Sequence, residues 1–343
     1  MSIHAEERTE ALCKEGHDWA LSFVRMISTI MIVICHLMQK YNMEGMYWFN
    51  VGVQIFLFMS GWLYGKKKIE DAVSFITKNF TKIIVSYWLY ILIMIPVYYI
   101  LDRDAISFGV VVKALLCSDT INGMGHLWFI PYILCCYLFT PLLYFIGEKL
   151  RPRSIFYYFG IVAGICCLIV LYGFAYHSYF ISAWIICYVL GFFLSKGTTF
   201  FKIKENMYLI CVTPLCLLSN GLKIYLDYFS RDLQGLVVKL YSFFRPYCHV
   251  LLGIFLFFAL YSFGRVCKFC LHRWLTKILK ASDLYSYQVY ICHGALILSS
   301  FSLIKKEGLI PPILEITLVS TLTIFSAVIL QWISSKITHK VLR

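Results

Sequence analysis

Leu21-Ser-Phe-Val-Arg-Met-Ile-Ser-Thr-Ile-Met-Ile-Val-Ile-Cys-His-Leu37 is an apolar run that encloses two ionisable side chains, Arg25 and His36. The run predicts a membrane-crossing helix. Eleven helical steps, at roughly 100° and about 1.5 Å each, bring the two residues to one face about 16 Å apart. An ionisable group inside a bilayer is costly, so each is a functional candidate. Alone, Arg25 suits a snorkelling interface anchor and His36 an interfacial packing residue. Their common face favours a polar path, because independent anchors need not align.

Runs of this kind recur throughout the 343 residues, of which 60% are hydrophobic and 14% charged, with a mean hydropathy of +0.76. A soluble domain carries about 25% charged residues. The chain therefore reads as an all-α integral membrane protein of about ten transmembrane helices. The expected spans are 19–38, 46–65, 82–100, 126–147, 155–175, 177–195, 206–223, 247–264, 284–304 and 311–335. Residues 1–18 form a short cytoplasmic segment, 19–335 a single polytopic domain and 336–343 a cytoplasmic tail. The first eighteen residues are polar, which predicts an uncleaved anchor rather than a signal peptide.

Cationic residues set the expected orientation. With the N-terminus inside, twenty-one Lys and Arg face the cytoplasm and nine face out. Both termini are then cytoplasmic. The net charge of +13 resides in these short loops and does not point to nucleic acid. Fourteen cysteines sit mostly in apolar runs, where Cys is a small buried hydrophobe. Cys267-Lys-Phe-Cys270, with His272 nearby, is too sparse a ligand set for a metal, so no metal site is expected. Two long outer segments remain, 101–125 and 224–246. The second mixes aromatic and charged residues, which suits an interfacial amphipathic helix or carbohydrate binding, and reads first as an aromatic interface belt. Asp102-Arg-Asp104 in the first reads as part of a solvated loop.

Several segments carry a family resemblance. Gly52-Val-Gln-Ile-Phe-Leu-Phe-Met-Ser-Gly-Trp-Leu63 resembles the second-span motif of the bacterial membrane acyltransferases called acyltransferase family 3. Arg25 and His36 match the family's R-x10-H. Lys78-Asn-Phe-Thr-Lys82-Ile-Ile-Val-Ser-Tyr-Trp88 is similar to its K-R-x-x-R-I-x-P-x-Y-W. His126-Leu-Trp-Phe-Ile-Pro-Tyr132 resembles its H-L-W-F-L, and Ser286-Tyr-Gln-Val-Tyr-Ile-Cys-His293 its S-x-x-I-Y-x-x-H. The chain departs from the pattern at Gln54, where relatives carry Asp, and at Asn79 and Lys82, where they carry Arg. Val85 and Ser86 replace prolines. Gln54 cannot act as a carboxylate partner for His36, and Lys82 attracts phosphate without bidentate geometry.

The resemblance implies transfer of an acyl group, usually acetyl, from cytoplasmic acyl-CoA to a hydroxyl of a surface polysaccharide or its lipid-linked precursor. The site would be the bacterial inner membrane, with no tightly bound cofactor. Arg25, Lys78 and Lys82 would meet the CoA phosphates. His36 would be the general base on the acceptor hydroxyl, or the nucleophile of an acyl-histidine relay. Gln54, Ser60, His126, Trp128, Tyr290 and His293 are candidate lining residues. Ser60-Gly61 also suits close helix packing. A transporter or flippase of an anionic or lipid-linked substrate is the alternative, but no paired Gly/Pro-broken helices support it. A polysaccharide polymerase would share the long outer loops without accounting for the ordered motifs.

Overall fold

The structure is a computed structural model that describes residues 17–150, 154–229, 235–267, 273–304 and 311–342. Within these residues it is helical, with no strand. The helices are α1 (Trp19–Lys40), α2 (Met46–Phe49), α3 (Gly52–Gly65), α4 (Ala72–Leu101), α5 (Phe108–Leu115) and α6 (Phe129–Leu150). They continue as α7 (Ile155–Ala175), α8 (Tyr179–Phe201), α9 (Glu205–Phe229), α10 (Leu236–Val266), α11 (Arg273–Leu298) and α12 (Pro312–Val341).

Each expected span has a helix. Eight of them, among the described residues, are long and apolar enough to cross a membrane. The other two are α3, only 14 residues long, and α11, diluted by Lys277, Lys280, Asp283, Gln288 and His293. The protein is an all-α integral membrane protein.

Local chemistry sets the helix ends. Asp71 caps α4, accepting from the amides of Val73 at 3.0 Å and Ser74 at 3.2 Å. Ser107 caps α5 and Ser154 caps α7 in the same manner. α12 opens on Pro312, where a missing amide costs little. The tight junction of α7 and α8 turns at His177, which takes a left-handed φ of 52°.

The two long segments between spans, 101–125 and 224–246, both carry helical structure. Residues 101–125 are partly folded, with a 3-10 turn at Arg103–Ala105 and α5. Residues 224–246 do not form a separate interfacial helix, because α9 continues to Phe229 and α10 begins at Leu236. A polar cluster joins these extensions: buried Lys223 pairs with Asp227 at 2.7 Å, and Tyr241 donates to the same carboxylate. Residues 230–234, and Cys270 and His272 of the CxxC segment, lie outside the described residues.

Contacts divide the chain into two units. The first comprises Met1–Ser28, Val51–Lys68 and Leu142–Lys280; the second comprises Thr29–Asn50, Ile69–Pro141 and Ala281–Arg343.

In the first unit, α3 and α8 approach backbone to backbone. A Cβ on Gly61 would lie 2.1 Å from the Tyr188 carbonyl oxygen, and one on Gly191 2.1 Å from that of Phe58. Only glycine fits at such a contact, the small-residue mode of packing in membranes. Ser195 Oγ donates to the Trp62 carbonyl at 2.7 Å. Phe58, Trp62, Phe257 and Phe258 fill the adjacent core and are fully buried.

In the second unit, α4 packs on α12. Tyr287 of α11 donates to the Ile83 carbonyl of α4 at 2.9 Å. The last turns of α1 join α11 through Val33, Leu37 and Ile297. Tyr41 donates to buried Glu315 at 3.1 Å. Burial and then this carboxylate raise the Tyr41 phenol above its ordinary pKa, which keeps it a donor.

Candidate active site

Three histidines from distant parts of the second unit meet. His36 comes from the end of α1, His126 from the 3-10 turn Gly125–Trp128, and His293 from α11. The rings of His36 and His293 stack with centroids 5.1 Å apart. His126 lies edge-on to both, at 6.0 Å from His36 and 5.0 Å from His293.

Each ring has one nitrogen engaged by a carbonyl oxygen. His36 Nδ1 donates to Gln39 Oε1 at 3.3 Å. His126 Nε2 donates to the Ile291 carbonyl at 3.0 Å. His293 Nδ1 donates to the Val289 carbonyl at 3.1 Å. In a neutral imidazole the other nitrogen is then an acceptor. His126 Nδ1 and His293 Nε2 are buried acceptors with no hydrogen-bond partner. The trio does not form a chelate: among the described residues, no group of three or more His, Cys, Asp or Glu is arranged to hold a metal ion. The face-to-face stack of His36 and His293 aims their nitrogens at no common point.

The positions of these rings are closely determined. Tyr290 donates to the His126 carbonyl. The His126 ring lies on Gly294, where a Cβ would fall 1.9 Å from Nδ1. Gly294 follows His293 directly, so one step of α11 presents one histidine and makes room for another.

Below this group along α11 lies a cavity of about 580 Å³, within the usual range for ligand sites. Lys82 and Ser86 of α4, Gln288 of α11, and Ser335 and His339 of α12 are among its lining residues. Buried Gln288 donates to Ser86 Oγ at 3.4 Å, and its Oε1 has no hydrogen-bond partner. Five residues of α11, about 7–8 Å of helix rise, separate Gln288 from His293.

The structure thus brings together His36, His126, Tyr290 and His293. Lys82 lines the cavity, and exposed Lys78 lies one turn before it on α4. Trp128 packs edge-on against Phe129 and Tyr132. Arg25, Gln54 and Ser60 belong to the first unit. Arg25 is half-buried. Gln54 is buried with its Cβ against Gly253, where an added Cβ would meet it at 2.6 Å. Ser60 is half-buried beside the Gly61 packing contact.

Two residues of the histidine group escaped the motif reading. Gln39 supplies the polar partner of His36, and its signal was the i, i+3 spacing on one helix. Gly294 has no signal beyond its place after His293.

Residues 18–332, nearly the whole chain, match the family model described as an acyltransferase domain. The chain belongs to acyltransferase family 3. This membership makes it a multi-pass membrane acyltransferase. No curated protein and no solved structure matches this family 3 chain.

Proposed function

We propose that this acyltransferase moves an acyl group, acetyl in the first instance, from cytoplasmic acyl-CoA to a hydroxyl of a surface polysaccharide or its lipid-linked precursor. The observation that carries this reading is the order of features along α11. A cavity bearing Lys82 and His339 is followed, between one and two turns on, by three histidines, two of which hold buried nitrogens with no hydrogen-bond partner. A cation-bearing cavity suits the phosphates of CoA, and a neutral imidazole suits proton removal from a hydroxyl.

In this mechanism His36 is the base. Gln39 accepts from Nδ1, which leaves the Nε2 lone pair for the acceptor proton. As that proton leaves, the acceptor oxygen attacks the thioester carbonyl carbon. The C–O bond forms and the C–S bond breaks. The proton passes from Nε2 to the departing sulfur, giving an ester and free CoA thiol. Lys82 and Lys78 attract the donor phosphates, and Arg25 positions the donor. The bacterial inner membrane, with both termini cytoplasmic, is the setting consistent with the charge bias.

Purified protein in detergent, given radiolabelled acetyl-CoA and the cell's own surface glycan, tests the reading. Label should reach the glycan, and Lys82→Ala should raise the KM for acetyl-CoA. Absence of CoA binding, with normal transfer by an Arg25→Ala, His36→Ala double variant, would refute it.

A further inference from the structure

We propose that a cleft in the 101–125 segment binds the polyhydroxylated acceptor and delivers its hydroxyl past Gly125 to the histidine group. This inference rests on the acyl-transfer reading and names its second substrate site.

The cleft has a volume of about 470 Å³ and is lined in part by Asp104, Thr120, Asn122, Gly123 and Gly125. The chain passes directly from Gly125 to His126, whose ring lies 6.0 Å from that of His36. The residue that follows the cleft's Gly125 in the chain is thus a member of the histidine group.

Charge distinguishes this cleft from the cavity on α11. The cleft has one carboxylate among its lining residues and no Lys or Arg. It repels a polyphosphate. The cavity on α11 has Lys82 and His339 and does the opposite. They lie toward opposite ends of α4, with nineteen helical steps from Lys82 to Leu101, roughly 28 Å of helix rise. That is close to the thickness of a bilayer core, about 30 Å.

The polar groups of the cleft match neighbouring hydroxyls on a sugar ring. The Asp104 carboxylate accepts only, the Asn122 amide donates and accepts, and the Thr120 hydroxyl does both. An array of this kind binds a neutral polyol through several short hydrogen bonds and needs no countercharge.

The cleft is also built in advance. Tyr98 donates to the Asn122 carbonyl at 2.7 Å, Tyr87 to that of Ala114 at 2.6 Å, and Trp88 Nε1 to that of Leu115 at 2.8 Å. Asp119 accepts from the Thr120 amide at 2.8 Å. Gly123 has a φ of 80°, and a Cβ there would meet Ser299 Cα at 2.6 Å. A wall already held in shape needs less ordering when a ligand arrives.

The test uses a strain lacking the gene, complemented with the full-length wild type or with an Asp104→Ala, Thr120→Val, Asn122→Ala triple variant. Surface polysaccharide is isolated and its O-acetyl esters are measured by NMR. Acetyl-CoA binding is measured on each purified protein. The triple variant should lose acetyl esters about tenfold or more, as expected for lost hydrogen bonds, and bind acetyl-CoA as the wild type does. Asn122→Ala alone, altering an exposed side chain, should show a smaller loss and covers the case where the triple variant misfolds. Full ester content in both variants overturns the cleft. So does loss of acetyl-CoA binding by a folded Asn122→Ala protein, which would assign the cleft to the donor. A wild-type gene that adds no ester overturns the acyl-transfer reading, and the inference with it.

Discussion

The rings of His36 and His293 lie one over the other, with centroids 5.1 Å apart and planes 16° from parallel. A stack can serve packing alone, or it can hold a base beside a second acceptor nitrogen. Replacing His293 with Phe separates these roles, because the ring survives and the nitrogens do not. His293→Phe should keep the protein's melting temperature in detergent within a few degrees. It should lower kcat by about 10²-fold, the low end for a group engaged in proton transfer. Wild-type kcat in the Phe variant would assign His293 to packing.

Gln39 is the residue that defines the tautomer of His36. Without its Oε1, Nδ1 and Nε2 compete for the proton, and the base nitrogen is presented only part of the time. Gln39→Leu should reduce kcat about tenfold and leave the KM for acyl-CoA unchanged, as expected for a positioning effect. A raised KM with normal kcat would place Gln39 in donor binding instead.

Gly294 must remain glycine for His126 to keep its place. A Cβ at 1.9 Å from Nδ1 cannot be absorbed by a ring already bonded to Ile291. Gly294→Ala should therefore abolish activity, while Gly221→Ala, where a Cβ meets nothing within 4 Å, should be neutral. Turnover and CoA binding of the purified variants check the difference.

Gly191 tests the first unit. Its alanine variant drives a methyl group into the Phe58 carbonyl. Separating α3 from α8 should cost at least the 1–3 kcal/mol typical of overpacking. Lower yield of folded protein and a lower melting temperature are the expected readouts, with Gly221→Ala as the reference.

Much of this was legible in the sequence for physical reasons. Apolar runs and cationic loops mark helices wherever the bilayer demands them, and α1 carries Arg25 and His36 on one uninterrupted helix. His126 and His293 were visible as costly polar residues near or within spans. Their meeting with His36 was not, because it joins residues far apart in the chain. Gln39 looked like an ordinary polar residue at a helix end. The 224–246 segment looked interfacial because it mixes aromatic and charged residues. In the structure Lys223, Asp227 and Tyr241 satisfy one another, so the helices continue through them. Gln54 was read against the carboxylate expected at its motif position; in the structure its Cβ packs on Gly253.

The anchors of the 101–125 segment have an evolutionary consequence. Tyr87, Trp88 and Tyr98 all grip backbone carbonyls, those of Ala114, Leu115 and Asn122. Every amino acid supplies a carbonyl. The side chains of this segment can therefore drift under selection while its course over α4 persists. On the proposed reading of the cleft, descendants of one ancestral enzyme could change acceptor without rebuilding the scaffold beneath.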